Sequence, residues 1–467
     1  MTSLSRLRAK ARRNALGLGF SYVLFYAASM LAVWCLWQLT GSWGITGDVN
    51  YYYQWGRFAL KHGVSGAMVE YPTPAAALLF LGAAFTNDAQ TYQAGFAWAM
   101  VLLVGAWFLV LWRKQQPRLD PQPHGHNNSY WRDGRSGARA VLGSGERSSV
   151  SSGEHSPNLS GSLHDLSMPR WVWLFTEPGW MWALLTACMG PLLLNRFDLV
   201  PALLGAAAFL ATSRAWAGHL LAWGTAMKLT PITLFAAFTR SWKRAGLALL
   251  GTGVGLILIS ALLGGWQRVF SPLGWQFGRG LHSESIVATA ITWVRAFNPG
   301  AYTAALSTNN SIDYSGPGVF LSLHVGTVLT VLTLALIVTF GVRAYRMPTT
   351  AGTKALLACA ITGLLICSNK VFSPQYMIWL LPLWTAVLVF ERTRWHAEMG
   401  LALAGITAMT QCIYPTLYPY FLATTTSIPH TWACIFVVVR NVALVVWTLT
   451  VCWRVWKRTT RTRNYTS

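Results

Sequence analysis

Apolar stretches close to the length of a bilayer crossing recur along the whole chain, and this constrains the fold more than any single motif. They fall at 17–39, 73–86, 93–112, 171–193, 198–212, 216–239, 245–263, 318–342, 350–367, 374–390, 399–417 and 431–453. A backbone inside hydrocarbon must satisfy its own hydrogen bonds, so only helices or closed barrels can cross. Period-2 alternation with barrel-type turns is absent, which leaves helices. Residues that are 54% apolar and 11% charged, with 25 Trp, exclude an ordinary soluble domain. The expected class is an all-α polytopic membrane protein with 10–12 transmembrane helices.

A net charge of +22 suggests nucleic acid until its placement is examined. Of 36 Lys and Arg, 26 lie in 1–16, 113–170, 240–244, 343–354, 392–394 and 454–463, hydrophilic segments flanking the apolar runs. That is the positive-inside pattern, reinforced by attraction to anionic lipid, so membrane lipids and not nucleic acid are the expected partners. The N-terminus (Arg6, Arg8, Lys10, Arg12, Arg13) reads as cytoplasmic, followed by a retained first span too long for a signal h-region. The chain divides into an N-terminal membrane part (1–112, first loop 40–72), a polar linker (113–170), a main bundle (171–453, loop 264–317) and a basic cytoplasmic tail (454–467). The linker core, 115–169, lacks apolar periodicity and is expected to be disordered, with His124 and His126 part of a polar tract. Seven Cys lie in or beside apolar segments without metal spacing and read as small buried hydrophobes.

Two topologies are open. Twelve full spans place the linker outside. Ten spans place it inside, if 73–86 and one of 198–212 or 216–239 are half-length or re-entrant. Lys228-Leu-Thr-Pro231 would break the last of these, because Pro removes a helix hydrogen bond. Either way, loops 40–72, 264–317, 368–374 and 415–430 share the extracytoplasmic side. Orientation disfavours Lys and Arg there, so their charges need another reason.

Only 14 Asp and Glu occur, yet Asp48 and Glu70 both fall in the first of these loops. Residues 50–62 place Tyr51, Trp55, Phe58 and Ala59 on one helical stripe opposite Gln54, Arg57 and Lys61, the pattern of an interfacial helix. Asp48 at its start is either an N-cap or a general base poised where a lipid-borne substrate meets water. The second loop holds Gly278-Arg279-Gly280-Leu281-His282-Ser283-Glu284-Ser285. There Arg279 offers a planar fork suited to phosphate, and His282 becomes a donor if a phosphate raises its pKa. A local Arg–Glu pair in a flexed loop is the alternative. Lys370 and Lys228 lie close to apolar segments, where charge is functional unless it snorkels. Arg196 and Asp198 read as an intramembrane structural ion pair. No P-loop, zinc motif, nucleophile elbow or dinucleotide fingerprint is present.

The ordered set Asp48-x-x-x-Tyr52, Glu70-Tyr71-Pro72, Arg196-Phe-Asp198-Leu-x-Pro201-Ala-Leu-Leu204, Lys228-Leu-Thr-Pro231, Arg279-Gly-Leu-His-Ser-Glu284-Ser285 and Ser373-Pro374-Gln375-Tyr376 resembles the GT-C integral-membrane glycosyltransferases. Within these it is similar to the bacterial, actinobacterial α-mannosyltransferase-like family, over nearly the whole chain except 115–169. The resemblance implies a GT-C-type bundle and an inverting transfer of mannose, or alternatively arabinofuranose. The sugar would pass from a polyprenyl-phosphate donor to an envelope glycan or glycolipid outside the cell membrane. It further implies Asp48 as catalytic base and Arg279, His282 and Lys370 as donor-phosphate ligands. Tyr52, Glu70, Tyr71, Glu284, Gln375 and Tyr376 would contact substrate, with Glu70 and Glu284 either binding sugar hydroxyls or orienting those cations. No Asp-x-Asp lies near Asp48, so neither cofactor nor metal site is expected, while metal dependence stays open. Thr73-Pro74 stands where many relatives carry Pro-Pro, and the long linker is a second departure. The rival reading is a transporter or flippase of lipid-linked sugars, which would use broken helices at mid-membrane.

Overall fold

The computed structural model describes residues 45–115, 170–238, 242–308, 311–347, 349–423 and 428–460, with Ala27, Leu31 and Cys35. Most of the first expected span, most of the linker and the end of the basic tail lie outside the described residues. Those described belong to one compact unit.

The unit is helical, as the apolar repetition predicts. The exception among the described residues is a short antiparallel hairpin of β1 (Thr303–Leu306) and β2 (Ile312–Ser315), in which Leu306 faces Ile312. Its first helix, α1 (Gly47–His62), packs on α2 (Thr73–Ala84), and α3 (Ala89–Gln115) follows. The expected segment 171–193 is cut by Pro178 and Pro191 into α4 (Arg170–Leu174), α5 (Pro178–Met189) and α6 (Pro191–Leu194). Next come α7 (Leu199–Leu210) and α8 (Arg214–Met227). Lys228 leaves helical geometry (φ −159°, ψ 137°) and a 3₁₀ segment, Thr230–Ala237, continues beyond it, so the chain breaks at the lysine–proline motif. The long α9 (Trp242–Phe277) turns at Gly265, whose φ of +79° suits a residue without Cβ. It leads to α10 (Thr289–Phe297) and the hairpin, then α11 (Val319–Arg346) and α12 (Ala351–Ser368). A 3₁₀ stretch, Pro374–Trp379, opens α13 (Leu380–Phe390). Finally α14 (Arg394–Gln411), the short α15 (Tyr418–Leu422) and α16 (Thr431–Thr460) complete the unit.

Five described helices are long and apolar enough to cross a membrane: those at 89–115, 243–276, 319–346, 351–368 and 431–460. By contrast α2 and α7, at 12 residues each, reach only about 18 Å, short of the ~30 Å hydrocarbon core. Burial follows the same logic. Nearly all of α12 and α13 is enclosed, around fully buried Trp182 and Trp384. Indole N–H groups there find partners: Trp182 Nε1 donates to Val104 O (3.0 Å) and Trp107 Nε1 to Thr385 Oγ1 (3.0 Å). At the periphery, α9 and α11 expose Leu247, Leu250, Leu262, Phe320 and Leu332, a surface stable only against lipid. The fold is a polytopic all-α membrane protein.

Helix α1 buries a different face from the aromatic stripe read in the sequence. Val49, Tyr52, Gly56 and Ala59 point inward, while Phe58 is exposed and Tyr51 and Trp55 are partly so. Small residues win the contact because they let two backbones approach. A Cβ on Gly56 would lie 2.6 Å from Ala83 Cβ. Gly56→Val is therefore expected to destabilise by about 1–3 kcal/mol through overpacking, read as a lower melting temperature in detergent.

Candidate functional site

Four loops meet at one end of the bundle, and arginines stitch them. Arg268 Nη2 donates to Ala67 O (3.2 Å) and Met68 O (2.8 Å), holding a buried turn in which Met68 has φ +49°. Arg295 donates to Phe421 O (2.7 Å) and Leu422 O (3.3 Å), and His282 N to Lys370 O (3.1 Å). Arg268 and Arg295 thus have a structural role, joining loops by bonds to main-chain carbonyls.

Asp48 stands in the first turn of α1, where the helix dipole favours a carboxylate. It is not the N-cap: Thr46 holds that position, without a side-chain capping bond. Its partner is Arg196, whose Nε lies 3.2 Å from Oδ2; the arginine side chain is 4% exposed and the aspartate 37%. Arg196 Nε also reaches Gln375 Oε1 (3.1 Å), Nη1 donates to Ile45 O (2.8 Å) and Asn195 O (3.0 Å), and Nη2 to Tyr414 OH (3.2 Å). The expected Arg196–Asp198 pair is therefore corrected. Side chains two residues apart diverge at a helix start. Asp198 is instead fully buried against Lys228 Nζ (2.5 Å) and Trp379 Nε1 (2.7 Å). Lys228 in turn lies over the stacked rings of Tyr376 and Trp379.

Around Asp48 the tyrosines pair with neighbours. Tyr51 OH donates to Glu70 Oε1 (2.7 Å), and the Tyr52 and Tyr71 hydroxyls lie 3.1 Å apart. Burial, and after it the nearby carboxylates, keep Tyr51 and Tyr52 protonated well above the ordinary phenol range. Burial also raises Glu70, although the Tyr51 hydrogen bond and the fields of Arg268 and Arg279 oppose it. Glu70, Tyr71 and Gln375 keep partial exposure. Tyr52 and Tyr376, expected to touch substrate, are buried.

The turn 278–285 builds the cationic part. Arg279 is partly exposed, and its buried Nε has no hydrogen-bond partner among the described residues. His282 is buried and held neutral, its pKa pushed down to about 3 by burial and then by Arg279 and Arg440. Its Nδ1 accepts the Glu284 N–H (3.3 Å), so the ring proton sits on Nε2 and can be donated without the imidazolium charge anticipated from sequence. Lys370 is lowered by burial and by Arg279, while Asp313 opposes the shift. Asp313 also sets the turn: a Cβ at Gly280 would meet its Oδ2 at 2.5 Å, so that position takes glycine.

Glu284 belongs beneath the site rather than in it. Fully buried, it accepts from Arg440 Nη2 (3.0 Å) and from the Tyr418 hydroxyl. Its ion-pair partner is therefore Arg440, not the Arg279 of the alternative local pair. The raised glutamate reflects burial first, with Arg440 and Tyr418 pulling against it. Sequence reading overlooked Arg440. Its signal was available, an arginine in the apolar first two thirds of a 30-residue helix whose other basic residues (Arg454, Lys457, Arg458) gather toward its end. The fully buried guanidinium also meets Asn441 Oδ1 (2.9 Å) and the Phe372 ring.

The layer thus holds the partly exposed Asp48 carboxylate anchored by a buried arginine, and a second patch made of the partly exposed Arg279, an imidazole donor and a lysine. Among the described residues no three His, Cys, Asp or Glu gather as metal ligands. Neither a family model nor a curated protein nor a solved structure matches the chain.

Proposed function

We propose that the protein is an inverting membrane glycosyltransferase. It moves a sugar, mannose in the reading the motifs favour, from a polyprenyl phosphate to an envelope glycan or glycolipid on the extracytoplasmic face of the cell membrane. One observation carries this: Asp48, partly exposed and tethered to a buried arginine, shares a loop layer with the partly exposed Arg279. Tyr51 and Glu70 connect the two, since Tyr51 donates to Glu70 and the charge of Arg279 acts on that carboxyl.

In the proposed reaction the acceptor hydroxyl oxygen attacks the anomeric carbon and inverts it. The hydroxyl proton passes to the Asp48 carboxylate and then to water. The bond from the anomeric carbon to the phosphate oxygen breaks, its electron pair staying on that oxygen. The leaving polyprenyl phosphate is a dianion that needs charge stabilisation more than a proton, which Arg279, Lys370 and His282 Nε2–H supply. Glu70, Tyr71 and Gln375 are placed to contact sugar hydroxyls. Carboxylate base catalysis of this kind contributes about 10²- to 10⁴-fold.

The helix break at Lys228, with its buried Asp198 pair, favours the second reading, a flippase of lipid-linked sugars. Purified protein in vesicles, given radiolabelled polyprenyl-phosphate mannose and octyl α-mannoside, separates the two. Glycosylated octyl mannoside supports transfer. Movement of intact donor between leaflets without any product supports the flippase. Under transfer, Arg279→Gln is expected to raise the donor KM about 10- to 100-fold, the worth of a charge-assisted hydrogen bond to phosphate.

A further inference from the structure

We propose that Arg196 is the positioning residue of the site, holding Asp48 in the one orientation from which it can accept the acceptor's proton; this rests on the glycosyltransfer reading above. A carboxylate on the first turn of a surface-end helix is otherwise free to change rotamer, and such freedom erodes a reaction that needs near-contact geometry. Here the guanidinium is itself immobile. It is buried, and two main-chain carbonyls (Ile45 and Asn195) and two side chains (Gln375 and Tyr414) fix it from four segments of the chain. Ile45 lies just ahead of α1, so the same arginine clamps both the carboxylate and the entry to the helix that carries it.

The contact geometry matters as much as its existence. Arg196 offers its Nε edge, not its two-pronged end, because both terminal nitrogens are already engaged. The pair to Asp48 therefore runs through Oδ2 at 3.2 Å while the side chain stays 37% exposed. One carboxylate oxygen is anchored, and no ion pair to the other is seen among the described residues, so it is the oxygen we assign to the acceptor hydroxyl. A bidentate clamp would have occupied both oxygens. Gln375 completes the device: Ser373 Oγ donates to its Oε1 (2.6 Å), so the oxygen sharing Arg196 Nε with Asp48 is itself fixed.

The test uses the full chain in nanodiscs with polyprenyl-phosphate mannose and octyl α-mannoside. Arg196→Gln is expected to lower kcat about 100-fold, the cost of a misplacement near 1 Å, with the donor KM within about threefold of wild type. Arg196→Lys keeps the charge but loses the fork and should recover part of that loss. Combining Arg196→Gln with Asp48→Asn should cost no more than Asp48→Asn alone, since an arginine that acts through Asp48 has nothing left to position. If Arg196→Gln does not fold, Tyr414→Phe removes one tether and should lower kcat at unchanged donor KM. Wild-type kcat in the foldable variants, or losses that simply multiply with Asp48→Asn, would overturn the positioning role while leaving glycosyl transfer standing. Wild-type protein that transfers no sugar would overturn both.

Discussion

Asp48→Asn protein is expected to lose about 10²- to 10⁴-fold in sugar transfer while keeping its helical content and close to its wild-type melting temperature. Asparagine preserves the side-chain shape and still offers an oxygen to Arg196 Nε, so the anchor is weakened rather than removed. It cannot take up the acceptor's proton. The loss should fall on kcat, because the donor phosphate is assigned to Arg279, His282 and Lys370 and not to the acid. Asp48→Ala should be at least as inactive and somewhat less stable, since it leaves a buried guanidinium without its counter-ion. Donor binding measured by isothermal titration should be nearly the same for wild type and Asp48→Asn. A variant that loses donor affinity in step with rate would mean that the carboxylate binds rather than reacts.

The largest stability effect is expected at Arg440. Its guanidinium and the Glu284 carboxylate are both fully buried, so removing one partner strands the other's charge. Arg440→Met should cost about 3–5 kcal/mol, while Arg440→Met combined with Glu284→Gln should recover much of it, because no isolated charge then remains inside. The effect depends on pH with a definite sign. Burial already raises the Glu284 carboxyl above its ordinary 4.5, and loss of the arginine raises it further. A carboxyl raised on folding takes up a proton as the chain folds. Its contribution is therefore most favourable below its unfolded pKa and is lost as pH rises through the folded one. The melting-temperature deficit of Arg440→Met should thus widen from mildly acidic to neutral and alkaline pH. A deficit that stays flat, or shrinks as pH rises, would show that Glu284 is not the stranded charge.

What sequence can and cannot convey is visible in these same residues. Helix positions were legible because lipid enforces length and apolarity, and proline enforces breaks: the interruption at Lys228–Pro231 lies where local chemistry puts it. The inward face of α1 was not legible. Aromatic residues supply the more apolar stripe, but contact with α2 is decided by how closely the backbones approach at Gly56, which no single-helix pattern records. Pairing was read locally and failed locally. Arg196 and Asp198 are close in sequence, yet each finds its partner across the fold, in Asp48 and Lys228. The alternative that paired Glu284 with the nearby Arg279 fails in the same way, since its partner lies on the last helix. In each case a buried charge selects the partner that three-dimensional packing delivers, and only an arginine inside an apolar helix, as at 440, announces itself in one dimension.

The central claim is an inverting transfer at Asp48, and one product determination tests it most directly. Wild-type protein is given β-linked polyprenyl-phosphate mannose and octyl α-mannoside, the new glycosidic linkage is assigned by NMR, and released polyprenyl phosphate is quantified. The expected products are an α-linked disaccharide and one polyprenyl phosphate per sugar transferred, with both formed about 10²- to 10⁴-fold more slowly by Asp48→Asn. A β-linked product, or α-linked product formed at the wild-type rate by Asp48→Asn, would contradict it.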